Sequence, residues 1–263
     1  MLQSATTQVR RNTKTEVDNL DTILVNHDAR VELKQLASDH SVAIIDDFLL
    51  APDDLRIYAT KRANDFYMPP KSYPGVVLNI DAAPMQDIYR FVRSDLSRRF
   101  SFLRGDARFS SMMSITTLPP DKLSNLQRLC HSDPPVEKNR LNFAFVLYLF
   151  KNEQLGGTGF YRWKEQAAIT EATTLESENP DKALAFLEHR FPTYKKPPCY
   201  MTDSTEIAER IANIPARYNR LIFYSGDIPH SAQISSPELL TSDVGKGRLT
   251  LNCFASVRPN HAI

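Results

Sequence analysis

From Leu141 to Phe150 the chain carries a single polar residue, Asn142. A strand with one face in water alternates apolar and polar positions, so a run this continuous predicts a strand covered on both faces. Four further stretches read as strands: Ser41 to Leu49, Phe109 to Thr117, Asn219 to Ser231 and Gly247 to Phe254. The first leads into a helix that opens on Pro52-Asp53-Asp54 and gathers Leu55, Tyr58 and Ala59 on one face. Ile88, Phe91, Val92 and Leu96 recur at helical spacing between Pro84 and Phe100, which predicts a second supporting helix. Pro119-Pro120 breaks the strand before it, and Gly156-Gly157 marks a turn into Thr158-Gly159-Phe160-Tyr161-Arg162.

The strand pattern lapses between Arg162 and Arg217, where a polar insert predicts helices over Asp181 to Arg190 and Thr202 to Asn213, divided by Pro192 and Pro197-Pro198. Residues 1–30 are polar and unpatterned and read as an arm, with order beginning near Val31. The expected organisation is therefore one domain over residues 31–263. A supporting strand and helices fill 31–107, the core fills 108–257, and 166–213 is an insert that is either a lid over a site or an outer decoration that packs on the sheet or makes a dimer contact.

Composition narrows the class. A chain of 263 residues, 42% hydrophobic and 24% charged, buries a core of single-domain size. A net charge of +1 gives no strong pull toward nucleic acid or acidic membrane surfaces. No apolar run approaches the length of about 18 residues that a membrane span needs. The start lacks an apolar signal segment, so a cytoplasmic monomer or homodimer is the expectation. Cys130, Cys199 and Cys253 are an odd set without a C-x-x-C pair, which argues against a disulfide framework or a structural zinc site. No nucleotide-binding glycine motif is present.

His131-Ser132-Asp133, followed far downstream by His230, carries the candidate chemistry. In an extended segment positions i and i+2 share a face, so His131 and Asp133 can hold one ion together, with His230 arriving from a distant strand. Two imidazoles and one carboxylate with open positions form the ligand set of non-haem Fe(II) oxygenases. His27, His40, His189 and His261 have no partner at ligand spacing and read as ordinary surface groups. Alternation points Cys130 away from the His131 face.

Taken in order, the H-x-D, the Tyr148-Leu149 strand, the Gly156-Gly157 turn, the Arg220-Leu221-Ile222-Phe223-Tyr224 strand leading to His230 and the final strand opened by Arg248 are similar to one family. The chain resembles the Fe(II)/2-oxoglutarate-dependent dioxygenases, within them the prolyl-4-hydroxylase-like branch, over residues 108–257. The resemblance implies a mainly β fold with flanking helices, a double-stranded β-helix or distorted jelly roll. It implies that His131, Asp133 and His230 hold Fe(II), and that Arg248, helped by Tyr148, grips the far carboxylate of 2-oxoglutarate. A planar guanidinium suits that bidentate grip, and Thr250 on the same strand face adds a hydroxyl donor. With O2 as co-reactant, the implied reaction is hydroxylation of a C–H bond in an amino acid, a peptidyl residue or a small metabolite. Retention of Asp133 disfavours halogenation, for which related enzymes vacate that position. One departure is the interval from His230 to Arg248, lengthened by a polar loop from Gln233 to Lys246, which leaves Arg258 as an alternative anchor. Two other readings stand beside this one. One is a cupin-like non-haem iron dioxygenase that does not use 2-oxoglutarate. The other is a non-catalytic jelly-roll binding protein with a vestigial triad.

Overall fold

The computed structural model describes residue 20 and residues 22–36, 40–70, 73–100, 106–135 and 137–258. Residues 1–19 and 21 of the expected arm and His261 lie outside the described residues. Among the described residues ten strands form two antiparallel sheets, with helices on their outer sides, so the chain is mainly β. The larger sheet runs β1 (Val31–Gln35), β2 (Ser41–Ile45), β8 (Leu221–Ser225), β5 (Leu141–Tyr148), β10 (Arg248–Val257), β4 (Ala107–Thr116) and β3 (Gly75–Ile80), in that spatial order. The smaller sheet runs β7 (Ala208–Ile214), β6 (Thr158–Trp163) and β9 (His230–Ala232).

The near-continuous apolar character of β5 has the predicted cause, since both of its faces are covered. Phe143, Phe145 and Leu147 enter one core, while Ala144 and Tyr148 enter another that lies against the smaller sheet. β10 divides in the same way. Leu249, Leu251, Cys253, Ala255 and Val257 join the first core, which leaves Arg248, Thr250, Asn252 and Phe254 on the face toward the smaller sheet. Helices α1 (Pro52–Lys61) and α2 (Gln86–Phe91) close the first core, with Val92 and Leu96 of the wide π turn that joins α2 to α3 (Ser97–Arg99). Pro52 stands where a helix has no use for an N–H, and Asp53 and Asp54 complement the positive end of the helix.

Three expectations are corrected. Order begins before Val31, because Ile23 and Val25 are buried in the first core and Val25 bridges Leu49. Thr202 to Asn213 is not a helix. Its second half is β7, held by backbone pairing to β6 and by the Arg162–Glu209 cross-strand pair, and that pairing overrides a weak local preference. The insert that precedes it is a helical hairpin, α4 (Gln166–Glu178) and α5 (Pro180–Arg190), capped by Asn179 and packed on the outer face of the smaller sheet. Finally, His230 does not end the Leu221 strand. That strand stops at Ser225, a turn crosses between the sheets, and His230 opens β9. Among the described residues no helix is long and apolar enough to cross a membrane.

Candidate metal centre and adjoining cavity

His131 and His230 face each other through a pair of backbone hydrogen bonds of 2.9 and 2.8 Å, so the H-x-D segment lies across the start of β9. Asp133 is fixed by a 2.6 Å bond from its N–H to the Gly226 carbonyl, and Gly226 donates in turn to the Asn142 carbonyl at 2.7 Å. A Cβ at Gly226 would stand 2.7 Å from the Asp133 carbonyl oxygen, so only glycine lets the turn after β8 approach this closely.

One ligand atom from each of His131, Asp133 and His230 lies within 4.8 Å of the others. The His230 Nε2 to Asp133 Oδ2 distance is 3.5 Å, and the His131 Nε2 to Asp133 Oδ1 distance is 4.0 Å. Donors about 2.1 Å from a common ion stand roughly 3–4 Å apart, so these spacings fit a shared cation. The His230 Nδ1 lies 2.9 Å from the Ile228 carbonyl, which can only accept. Nδ1 therefore donates, which orients the ring so that Nε2 is the atom turned toward the carboxylate. Burial works to raise the Asp133 carboxyl, but hydrogen bonding and charge from His230, with charge from His131, hold it below its ordinary value. Burial and the neighbouring His230 hold the His131 imidazole below its ordinary value against the pull of Asp133. Because 61% of the His131 side chain is exposed, His230 is the firmer of these two causes. Both groups are thus in their metal-ligating forms at neutral pH.

The three side chains open on a cavity of about 280 Å³ whose opposite wall is the polar face of β10 with Tyr224 and Thr158. Arg248 is 4% exposed, yet among the described residues no carboxylate pairs with it. Its Nε donates to the carbonyls of Leu155 and Gly156, its Nη2 donates to that of Gly157, and Phe150 lies under the guanidinium. Gly156 has φ +84°, so the turn read from Gly156-Gly157 is what aims these carbonyls. The Nη1 group forms no hydrogen bond among the described residues. A buried cation without a counter-ion is costly, and a cavity beside it invites an anion.

The structure brings His131, Asp133, His230, Arg248 and Thr250 to this one cavity. Thr250 shares a 2.9 Å hydrogen bond with Ser114. Tyr148 is placed differently: it is fully buried behind the wall, and its hydroxyl bonds the Thr158 hydroxyl at 2.7 Å. Tyr224 does line the wall, where its ring meets His230 edge-on at 4.8 Å and its hydroxyl has no partner among the described residues. Burial pushes that phenol well above its ordinary value, so it is a neutral donor. Asn252 is a second wall residue that the sequence reading missed, although it shares the alternation of Arg248 and Thr250. Arg258 lies outside the cavity and pairs with Glu137 at 3.9 Å. Cys130 is buried in the third core, where its N–H meets the Met201 sulfur, away from the cavity.

Among solved structures the chain is similar to the non-heme alpha ketoglutarate dependent epimerase SnoN from nogalamycin biosynthesis, at TM-score 0.43 and 12% identity over 84% of this chain and 82% of that one. It is similar to HygX from Streptomyces hygroscopicus with nickel and 2-oxoglutarate bound, at TM-score 0.41 and 11% identity over 84% and 83%. EvdO2 from Micromonospora carbonacea var. aurantiaca complexed with 2-oxoglutarate follows at TM-score 0.36 and 8% identity over 89% and 96%. Scores this low give these likenesses no weight for function. No curated protein matches the sequence. Residues 27–255 match DUF6445, a family of unknown function, and the chain belongs to that family.

Proposed function

We propose that this protein is an Fe(II)- and 2-oxoglutarate-dependent oxygenase on a double-stranded β-helix, akin to the prolyl-4-hydroxylase-like branch, that hydroxylates a C–H bond of an amino acid, peptidyl residue or small metabolite. The observation that carries the reading is the meeting, in one cavity, of a two-imidazole, one-carboxylate donor set with a buried guanidinium that has no carboxylate partner among the described residues. His131, Asp133 and His230 are the metal ligands, a set that leaves coordination positions open and suits iron. Arg248 takes the far carboxylate of 2-oxoglutarate through its unused donors, and the Tyr224 and Thr250 hydroxyls face the same space. Bound Fe(II), 2-oxoglutarate and O2 together supply oxidative decarboxylation to succinate and CO2, coupled to hydroxylation. The chain's own work is to orient. The Ile228 carbonyl fixes the His230 tautomer, Gly226 holds Asp133, and the carbonyls of Leu155 to Gly157 aim the guanidinium.

The test is Mn(II) binding read by electron paramagnetic resonance, followed by succinate release with Fe(II). Wild-type protein should bind Mn(II) and perturb its signal on adding 2-oxoglutarate. Asp133→Ala should lose tight metal binding while its metal-free fold stays nearly intact, because the backbone bond from residue 133 to the Gly226 carbonyl remains. Full Fe(II)-dependent turnover by Asp133→Ala would sink the assignment.

A further inference from the structure

A second cavity, of about 220 Å³, adjoins the first and shares Tyr73, His131, Ser231 and Ala232 with it. Its outer wall is built by Leu126, Gln127, Leu129 and Tyr200, and among the described residues no Lys, Arg, Asp or Glu lines it. The wall is preformed. The Tyr73 hydroxyl bonds the Thr116 hydroxyl at 2.7 Å, and the Tyr200 hydroxyl donates to the Leu118 carbonyl at 2.7 Å. Both phenols therefore spend their polar ends on the protein, so their rings are what they offer the cavity. The Leu126 to Cys130 segment is tied to the insert by the Tyr194 hydroxyl on the Asn125 carbonyl and by the Cys130 N–H on the Met201 sulfur. One polar group is left over. The Ser124 N–H donates to Gln127 Oε1 at 2.9 Å, which fixes the amide, and its Nε2 donors have no partner among the described residues.

We propose that this second cavity receives the reacting part of the substrate and that this part is uncharged and largely apolar, of side-chain or ring size, with at most one hydrogen-bond acceptor for Gln127. The proposal rests on the reading of His131, Asp133 and His230 as metal ligands. A charged group moved into this space would lose its water and gain no counter-ion, and such burial is strongly unfavourable. Aromatic and leucine walls repay an apolar group instead. The volume lies below the range of about 300–1,000 Å³ usual for a whole drug-sized ligand, so the charged or bulky remainder of any substrate stays outside. A division of labour follows. The Arg248 end takes the anionic cosubstrate and the Leu126 to Leu129 end takes the neutral substrate, with the metal ligands between them.

Three probes on one skeleton test this by fluorine NMR: para-fluorobenzyl alcohol, para-fluorobenzylamine and para-fluorobenzoate. Each is titrated into the full-length protein, first metal-free and then with Mn(II) and saturating 2-oxoglutarate, which occupies the Arg248 end. The alcohol should bind at least about tenfold tighter than either ion, and Mn(II) should broaden its bound resonance. Gln127→Glu, which keeps the shape and the Ser124 contact, should turn the preference toward the amine. Leu126→Lys, at another half-buried wall position, should turn it toward the benzoate, so the outcome does not hang on one variant folding. An ion bound as tightly as the alcohol would overturn the proposal. So would an order of affinities unmoved by either substitution, or an alcohol affinity weaker than about 10 mM. Failure of Mn(II) or 2-oxoglutarate to bind would instead overturn the functional reading, while the metal-free preference for alcohol over amine, and its reversal in Gln127→Glu, still decides what this cavity accepts.

Discussion

A buried guanidinium held by three carbonyls and no carboxylate turns a positive strand residue into a recognition group. In Arg248→Lys a single ammonium cannot reach Leu155, Gly156 and Gly157 and still present a fork to a ligand. The 2-oxoglutarate affinity should fall by about 1.5–3 kcal/mol, roughly ten- to a hundredfold, in calorimetric titration of the Mn(II) form. An unchanged affinity would remove Arg248 as the anchor. The two tyrosines near it separate by the same reasoning. Tyr224→Phe deletes a hydroxyl without a protein partner, so it should weaken 2-oxoglutarate by about 0.5–1.5 kcal/mol and leave the melting temperature unchanged. Tyr148→Phe deletes one side of the Thr158 bond, so it should lower stability by about 1 kcal/mol and leave affinity nearly unchanged. The reverse pattern would restore Tyr148 to the ligand. His131 and Asp133 were legible in the sequence from their H-x-D spacing, and His230 and Arg248 from the order of motifs that resembles the dioxygenases. Tyr224 was not. An aromatic in a doubly covered strand looks the same whether its hydroxyl meets protein or cavity.

At the scale of elements, period-two alternation carried most of the information. It separates the Leu249, Leu251 and Cys253 face of β10 from the Arg248, Thr250 and Asn252 face, and it explains why β5 has no polar side. It failed for β7, whose Ala208-Glu209-Arg210-Ile211-Ala212-Asn213-Ile214 has good helix formers and only a partner strand to make it extended. It failed again at His230, where the four turn residues Gly226-Asp227-Ile228-Pro229 move the chain from one sheet to the other. One ion cluster joins two elements of the larger sheet. Arg220, just before β8, grips Asp46, just after β2, through bonds of 2.6 and 2.9 Å, and Arg217 adds a third at 2.9 Å. Hydrogen bonding to Arg220 is the largest cause holding Asp46 below its ordinary carboxyl value of 3.8, against the opposing effect of partial burial. Because the folded value is depressed, this stabilisation is present above the unfolded value and is lost as pH falls through the folded one. With 36% of the Asp46 side chain exposed, solvent screening reduces it to about 0.5–1 kcal/mol. Urea unfolding of Asp46→Asn should show that deficit at pH 7 and a shrinking one below the ordinary carboxyl value. A deficit independent of pH would mean that packing, and not charge, is what the variant loses.

Across the whole molecule the site is made by two sheets at once. Arg248 and Tyr224 belong to the larger sheet, His230 opens a strand of the smaller one, and the His131 to Asp133 segment spans between them. A metal ion and a diacid bound there connect parts that otherwise meet through the second core and a few backbone bonds. They bind only the folded chain, so each should stabilise it by mass action, about 2.7 kcal/mol at a hundred times its dissociation constant. For a chain of this length each kcal/mol is worth about 2–4 °C, so Mn(II) alone should raise the melting temperature by roughly 5–10 °C. Adding 2-oxoglutarate should raise it again by a similar amount. The second increment is the informative one. It should require the metal, because the keto and near carboxylate oxygens have no other partner, and it should vanish in Asp133→Ala even at high 2-oxoglutarate. A 2-oxoglutarate shift of full size in metal-free protein would show that Arg248 binds diacids without the centre. No shift beyond that of Mn(II) would leave a metal site whose reaction does not use this cosubstrate, with Arg248 reduced to a brace for the Leu155 to Gly157 turn.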